Sequence, residues 1–199
     1  MKCIKATKQD SLQIARLHKA FIPTGFLSQQ SLNFLNALYL FLIMQEIVYV
    51  VKEEENVVGF IAGSLNTDGL YKRFLKSNVP LLIAFALRNL FSIDFIRKAA
   101  ETFTAPKKTV LDDLDYAVPE LLSIVVDKSY AGKGYGKELL GCLEREFRRS
   151  NAKACKVLVG SQLEANRFYV NNGFVRVKEI ELHKGAISYL YVKTFQQRI

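Results

Sequence analysis

The sequence predicts a mixed α/β (α+β) fold, in which a central sheet is flanked by helices. Three observations predict it. Short β-rich and longer helical patterns alternate over residues 1–66, a strand, a glycine loop and a helix follow one another over 120–149, and a strand hairpin ends the chain. With 199 residues, 50% of them hydrophobic, the chain is long enough for one domain with a substantial core.

The first 66 residues predict the order strand, helix, helix, strand, strand. A short strand over Lys2–Ala6 precedes Thr7-Lys-Gln-Asp10, a capping box that is typical of a helix start. Apolar residues then recur at helical spacing until about Ile22, and Pro23 breaks the pattern. The elements predicted next are a helix over Ser28–Gln45, a strand over Ile47–Lys52, a turn over Glu53–Asn56 and a strand over Val57–Leu65.

Residues 67–118 separate the third predicted strand from the fourth and are too many for a loop without structure. Helical patterns cover Leu70–Lys76 and Pro80–Arg97, and eight basic residues stand against three acidic ones between Asp68 and Lys108. We therefore predict a basic, apolar helical insertion within a single domain of residues 1–199. Three roles stay open for it: a lid over an acceptor, a dimer surface or extra core, or a contact with a membrane interface.

The most informative stretch runs from Glu120 to Leu140. An apolar strand, Leu121–Val126, leads into a loop and then into an amphipathic helix. Glycine permits unusual φ angles and leaves room for a ligand, while a helix start offers unpaired N–H groups and a partial positive charge. The loop therefore predicts an anion site suited to phosphate, although a purely structural glycine turn is the alternative for the loop alone. It has neither the GK[ST] ending of a P-loop nor GxGxxG spacing.

A second stretch, Leu163–Phe174, reads LEANRFYVNNGF. With the first, it resembles the GNAT superfamily of acyl-CoA-dependent N-acetyltransferases. Ala131-Gly-Lys-Gly-Tyr-Gly136 resembles the pyrophosphate loop of that superfamily, [QR]xxGx[GA], and Ala165 to Phe174 resembles its motif AxxFYxxxGF. Two departures are Ala131, where the loop usually opens with Arg or Gln, and Gln162, where Asn is usual. The resemblance covers residues 119–195 well, 1–66 loosely and 67–118 not at all.

The resemblance implies a mostly antiparallel central sheet, with the helical insertion between its third and fourth strands. The remaining elements predicted from the sequence are a fifth strand over Cys155–Val159, a short helix over Gln162–Asn171, a helix cap at Asn172-Gly173 and a hairpin over Phe174–Leu182 and Ile187–Phe195. The acetyl donor is expected where the fourth and fifth strands separate, because the amide-bearing pantetheine arm of CoA can pair with backbone groups there.

The cofactor implied by the resemblance is acetyl-CoA, used as the acetyl donor, and no metal is expected. The backbones of Ile124 and Val126 would contact the pantetheine, and a backbone N–H of the fourth strand would polarise the acetyl carbonyl. Asn166 would face the pantetheine or adenine side. The loop residues expected to hold the pyrophosphate are Ala131, Gly132, Lys133, Gly134, Gly136 and Lys137.

Two residues are predicted to be catalytic. In the superfamily, the tyrosine at the position of Tyr169 protonates the departing thiolate of CoA, and the alternative is a tyrosine that only fills the core. Glu120 is the predicted general base, because it lies eleven residues before Ala131, at the offset of the catalytic glutamate in the histone-acetyltransferase branch. The alternative for Glu120 is a solvated residue at the start of a strand.

The predicted function is transfer of an acetyl group to a primary amine by direct attack. A small amine or amino-sugar is the favoured acceptor, and a protein N-terminus or lysine is the alternative. A catalytically silent CoA-binding or interaction module is the alternative from another class. The net charge of +9 suits an acidic partner, but no nucleic-acid reader motif is present and nucleic acid is not expected. A homodimer stays open.

The cysteines and histidines carry no chemistry in this interpretation. Cys3, Cys142 and Cys155 form no metal pattern, and we expect reduced packing residues in a cytoplasmic protein. Residues 1–5 lack the apolar region of a signal peptide, and no apolar run of eighteen residues predicts a membrane span. His18 and His183 have no visible partners in the sequence pattern and are expected to be structural or surface residues.

Overall fold

A computed structural model of the protein describes residues 2–23, 25–78, 118–183 and 186–195. Within these residues the helices are α1 (Ser11–Phe21), α2 (Leu32–Gln45), α3 (Leu70–Ser77), α4 (Tyr135–Arg149) and α5 (Ala165–Asn171). The strands are β1 (Ile4–Lys5), β2 (Ile47–Glu53), β3 (Asn56–Ser64), β4 (Glu120–Val126), β5 (Ala154–Gly160), β6 (Val175–His183) and β7 (Ala186–Thr194). None of these helices is long and apolar enough to cross a membrane.

The strands form one sheet in the order β1-β2-β3-β4-β5-β7-β6. Every neighbouring pair is antiparallel except β4 and β5, which run parallel. The predicted mixed fold with a mostly antiparallel sheet is therefore confirmed. The parallel pair lies in the middle of the sheet, and the chain covers the distance between these two strands through the loop after β4 and helix α4.

The predicted elements within the described residues occur in the predicted order, but two helices begin later than predicted. The short helix predicted over Gln162–Asn171 begins at Ala165. Helix α2 begins at Leu32 rather than at Ser28, because the Ser31 hydroxyl accepts a hydrogen bond from the Phe34 N–H at 3.2 Å and caps the helix there. Residues 27–29 instead form a separate 3₁₀ turn. Helix α3 confirms the prediction for Leu70–Lys76, whereas the helix predicted over Pro80–Arg97 lies outside the described residues.

The sheet separates two hydrophobic cores. Successive residues of β3 alternate between them, as Phe60 packs with α1 and α2 while Ile61 packs with α4 and α5. We call these sides the α1–α2 face and the α4–α5 face. Helix α3 belongs to the α1–α2 face, where the ring of Phe74 meets the α2 rings of Phe34 and Phe41 at centroid distances of 5.4 and 5.6 Å. The start of the predicted insertion is therefore packed onto the domain core.

The cysteines differ from the prediction. Cys3 and Cys142 are joined by a disulfide, which links the segment before β1 to α4, and the Cys3 N–H also donates to the Glu138 carboxylate at 2.8 Å. Cys155 alone is free, and it is buried in β5. The prediction of reduced packing residues is wrong for the first two, because 139 positions of chain separate them and only the fold brings them together.

Asp10 connects the start of α1 to strand β2. Its carboxylate accepts from the N–H and hydroxyl of Thr7, at 2.8 and 2.9 Å, and lies 2.6 Å from the Lys52 ammonium. The predicted capping box is thereby confirmed. Burial by itself would raise the pKa of Asp10, but the hydrogen bonds from Lys52 and Thr7 outweigh it and hold the pKa below its ordinary value of 3.8.

Asp10→Asn is expected to lower the free energy of unfolding by about 1 to 3 kcal/mol at about pH 7, because the substitution removes charge-assisted hydrogen bonds. A carboxyl whose pKa is lowered by folding stabilises the protein above its unfolded pKa and loses that effect as the pH falls through its folded pKa. Urea unfolding of both proteins should therefore show a difference that narrows as the pH falls below the ordinary pKa of 3.8. Glu55→Gln, in the exposed β2–β3 turn, is the control. A stability difference that does not change with pH would contradict the lowered pKa assigned to Asp10.

Candidate active site

The loop after β4 adopts the geometry that its glycines predict. A 3₁₀ turn over Lys128–Tyr130 follows β4 and is capped by the Asp127 carboxylate, which accepts from the Ser129 N–H at 2.8 Å. Gly132 and Gly134 then have φ angles of 77° and 87°, in the left-handed region that favours glycine. A Cβ on either would touch nothing within 4 Å, so the side facing their α-carbons is open.

The N–H groups from Gly132 to Lys137 have no hydrogen-bond acceptor within the described residues. The bonding of α4 begins only with the Glu138 N–H, which donates to the Gly134 carbonyl at 3.0 Å. Unpaired donors at the N-terminus of a 15-residue helix form a site that fits a pyrophosphate. Ala131 differs from its neighbours, because its own N–H donates to the Lys128 carbonyl at 3.1 Å.

The two sequence motifs lie against each other in space. A Cβ added to Gly136, in the first turn of α4, would stand only 3.1 Å from the ring of Phe168 on α5. Glycine at position 136 therefore allows the helix that carries the loop to pack closely on the helix that carries Tyr169. This contact explains physically why the loop and the second motif are informative together.

Strand β4 carries a β-bulge at Leu122. Its pairing with β3 shifts between Ser123 and Leu121, so one residue of β4 has no partner. Leu122 packs on the α1–α2 face, and the Ser123 hydroxyl meets the Tyr39 hydroxyl on that same face. Leu121 and Ile124, on either side of them, pack on the α4–α5 face. The bulge thus changes which backbone groups face β5 along the rest of the strand.

Beyond the bulge, β4 and β5 separate. They pair only at Glu120 and Leu121. The Asp127 N–H donates to a β3 carbonyl at 2.8 Å, and in an antiparallel ladder alternate residues turn to the same neighbour. The backbones of Val126 and Ile124 therefore turn away from β3 and toward the gap between β4 and β5. This is the position at which an amide-bearing chain can pair with them.

Tyr169 on α5 lies in the core of the α4–α5 face with only 4% of its surface exposed. Phe168, Phe174 and Tyr191 surround its ring, and its hydroxyl has no hydrogen bond within the described residues. Burial raises the pKa of Tyr169 above its ordinary value, so the phenol stays protonated and is able to donate.

Asn166, predicted to face the cofactor, has both ends of its amide bonded to the protein. Its amino group donates to the carbonyls of Gly160 and Leu163 at 2.9 and 2.6 Å, and its oxygen accepts from the Tyr191 hydroxyl at 3.1 Å. These bonds fix the turn between β5 and α5. Its contact with the cofactor stays a prediction, and the bonds observed make it a residue that shapes the loop.

Glu120 lies at the start of β4, and 15% of its side chain is exposed. Its carboxylate is 3.9 Å from the Lys156 ammonium on β5. Tyr71 of α3 lies near this carboxylate. Burial is the main cause that raises the pKa of Tyr71, and the negative charge of Glu120 is the second. The carboxylate is thus largely buried, and the role of Glu120 as general base stays a prediction. The sequence did not reveal Tyr71 as a neighbour, because α3 belongs to the insertion that the motif does not cover.

A buried chain of hydrogen-bonded side chains, formed by His18, Tyr39 and Ser123, lies on the α1–α2 face behind β4. The His18 Nδ1 is 2.6 Å from the Tyr39 hydroxyl, which is 3.2 Å from the Ser123 hydroxyl. The buried position of His18 agrees with the expectation of a structural or surface residue, but His18 has a partner that the sequence pattern did not reveal. Sequence analysis missed this chain because His18 and Tyr39 stand on the apolar faces of α1 and α2, where the pattern predicts only packing. Among the described residues, no group of three or more His, Cys, Asp or Glu is arranged to hold a metal.

Sequence comparison establishes the family. The sequence model of the acetyltransferase (GNAT) family matches residues 14–174. The chain belongs to this family, and the resemblance drawn from its two motifs is confirmed. It is an acetyl-CoA-dependent N-acetyltransferase, which favours the enzyme over the catalytically silent module. No curated protein matches the sequence.

Solved structures share the fold. An N-acetyltransferase from Staphylococcus aureus Mu50 is 16% identical with a TM-score of 0.62, over 96% of this chain and 100% of the other. Ard1 from Thermoplasma volcanium is 16% identical with a TM-score of 0.61, over 98% of each chain. The PaiA N-acetyltransferase from Thermoplasma acidophilum, solved with coenzyme A, is 13% identical with a TM-score of 0.59, over 98% of each chain. At these identities the similarity shows the fold alone.

Gly134→Ala is expected to weaken the binding of acetyl-CoA about tenfold or more, because a left-handed φ costs a residue with a Cβ roughly 1–2 kcal/mol and turns the loop donors away from their common target. Gly69→Ala is the matched control, since Gly69 also has a positive φ of 63° and open space but lies beyond the other end of β3. Titration calorimetry measures both affinities. Equal affinities for the two variants would show that the loop does not hold the cofactor.

Proposed function

We propose that the protein acetylates the primary amine of a small molecule, with Glu120 as the general base and Tyr169 as the general acid. The observation that carries the proposal is the separation of β4 from β5 directly beside a loop of unpaired N–H groups. Acetyl-CoA supplies the activated acetyl group. The residues of this chain bind and orient it and move two protons.

Glu120 accepts the first proton. An amine is mostly an ammonium ion at neutral pH and must lose a proton before its lone pair is free to attack. The largely buried carboxylate of Glu120 lies on β4 before the bulge, 3.9 Å from the Lys156 ammonium. The amine nitrogen then forms a bond to the acetyl carbon while the bond from that carbon to sulfur breaks.

Tyr169 supplies the second proton. The departing thiolate gains a proton from a phenol that burial keeps protonated. The N–H groups of Ile124 and Val126, which turn toward the gap, are the candidates for pairing with the pantetheine and for stabilising the negative charge on the acetyl oxygen. These roles agree with the sequence prediction for Tyr169, Ile124 and Val126. Lys133 and Lys137 add positive charge beside the phosphate donors of the loop.

A compact acceptor is favoured because α3 closes the α1–α2 face beside Glu120. Tyr71 of α3 lies near the carboxylate, and Phe74 attaches that helix firmly to α2. The first helix of the insertion is therefore part of the wall around the base. A helix in that place leaves less room for a protein chain than for a small amine or amino-sugar. A peptide N-terminus is the second candidate acceptor and belongs in the same assay.

Tyr169→Phe is expected to lower kcat by about 10² to 10⁴-fold while the affinity for acetyl-CoA stays unchanged, because only the proton donor is removed. Thiol release from acetyl-CoA is measured with a panel of small amines, amino-sugars and short peptides. Tyr49→Phe is the matched control, since the Tyr49 hydroxyl is bonded to Glu146 at 2.8 Å on another part of the sheet.

Glu120→Gln in the same assay separates the two proton transfers. Its loss of activity should diminish with an amine that is already neutral at the assay pH, because no proton then has to be removed before attack. The defect of Tyr169→Phe should not depend on the amine. A Tyr169→Phe enzyme with unchanged kcat removes Tyr169 from the mechanism, and peptides as the best acceptors would overturn the choice of a small amine.

A further inference from the structure

The chain of His18, Tyr39 and Ser123 runs from the interior of the α1–α2 face to the surface of β4. His18 is 3% exposed and Tyr39 is 1% exposed, whereas Ser123 is only partly buried. The two links, 2.6 and 3.2 Å, join side chains from α1, α2 and β4. The outer end of the chain is therefore the Ser123 hydroxyl, beside the bulge.

The position of Ser123 places one end of this hydrogen-bonded chain next to the proposed site of acetyl transfer. Its neighbour Ile124 has its backbone turned toward the gap between β4 and β5, and Ser123 shares the α1–α2 face with Glu120. The bulge at Leu122 is what places Ser123 on that face, because regular alternation from Leu121 would point it to the opposite side. A strand irregularity thus presents one hydroxyl beside the site where acetyl transfer is proposed.

Packing alone does not account for His18. Its Nε2 is buried and has no hydrogen-bond partner among the described residues. A buried polar group left unpaired destabilises the folded state, so an apolar side chain would suit a purely structural position better. Burial lowers the pKa of His18 to about 4, and the ring is therefore neutral at physiological pH. A neutral ring has one nitrogen that accepts a hydrogen bond and one that donates.

The chain allows two directions of hydrogen bonding. In one, the Ser123 hydroxyl donates to Tyr39 and the Tyr39 hydroxyl donates to the His18 Nδ1, which leaves the oxygen lone pairs of Ser123 facing outward. In the other, the Ser123 hydroxyl points outward as a donor. An attacking amine aims its lone pair at the acetyl carbon and has N–H groups to offer, so it needs an acceptor. A donor would compete for that lone pair.

We propose that Ser123 accepts a hydrogen bond from the attacking amine and so orients its lone pair, and that Tyr39 and His18 are positioning residues that fix the direction of the Ser123 hydroxyl. This inference rests on the proposed function, because it assigns the acceptor contact of the same site. It names a contact for a neutral primary amine that is separate from the base.

The test compares steady-state kinetics of wild type, Ser123→Ala, Tyr39→Phe and the double variant, with the best amine from the panel. Ser123→Ala should lower kcat/KM for the amine about tenfold and leave KM for acetyl-CoA unchanged, because a hydrogen bond worth about 1.4 kcal/mol is lost only on the acceptor side. Tyr39→Phe should lower kcat/KM for the amine severalfold. In the double variant, Tyr39→Phe should add nothing, because Tyr39 acts through Ser123.

Tyr49→Phe is the matched control for loss of a hydrogen-bonded tyrosine hydroxyl. Stabilisation of each variant by acetyl-CoA in a thermal shift measurement shows that it is folded and binds the donor. If Tyr39→Phe fails to fold, His18→Asn, whose amide keeps an acceptor near the position of Nδ1, replaces it and is compared with His18→Leu. The asparagine variant should retain most of kcat/KM, and the leucine variant should not.

Effects of Ser123→Ala and Tyr39→Phe that multiply in the double variant would overturn the proposal, as would wild-type kcat/KM in Ser123→Ala. Equal kcat/KM values for His18→Leu and His18→Asn would also overturn the proposal. Failure of the underlying function is a different result, because it shows in the wild-type protein as no acetyl transfer to any small amine of the panel.

Discussion

Strand β4 is paired with β3 along its length but with β5 at only two residues, Glu120 and Leu121. Most of the active-site geometry depends on this unequal pairing. Unpaired backbone groups inside a protein are costly unless something pairs with them, so a gap in the middle of a sheet requires an occupant. The pantetheine arm of acetyl-CoA carries amides that suit the gap, and the N–H groups after Gly132 suit its phosphates.

The bulge at Leu122 affects both the gap between β4 and β5 and the side chains proposed to contact the acceptor amine. One extra residue turns the backbone of Ile124 toward β5 and at the same time keeps Ser123 on the face that carries Glu120. In the proposed mechanism, the same irregularity thereby sets both donor binding and acceptor orientation. In that mechanism helix α3 completes the wall around Glu120, because Phe74 holds the helix on α2 while Tyr71 lies near the Glu120 carboxylate.

The sequence predicted the parts that depend on local pattern. Glycine spacing predicted the loop, apolar alternation predicted the strands, and the paired motifs predicted the family. It did not predict the start of α2, which Ser31 decides, or the disulfide between Cys3 and Cys142. Nor did it predict the link from His18 to Tyr39, because both residues look like core positions until three elements are brought together. Contacts distant along the chain leave no periodic signal.

The exchange of single backbone amides with deuterium, followed by NMR with and without saturating acetyl-CoA, tests the central claim most directly. The amides of Ile124 and Val126 should exchange at least about tenfold more slowly when acetyl-CoA is bound, because the donor then pairs with them. The Asp127 amide, already bonded to β3 at 2.8 Å, is the internal control and should not change. Unchanged exchange at Ile124 and Val126 would contradict the claim that the gap between β4 and β5 receives the acetyl donor.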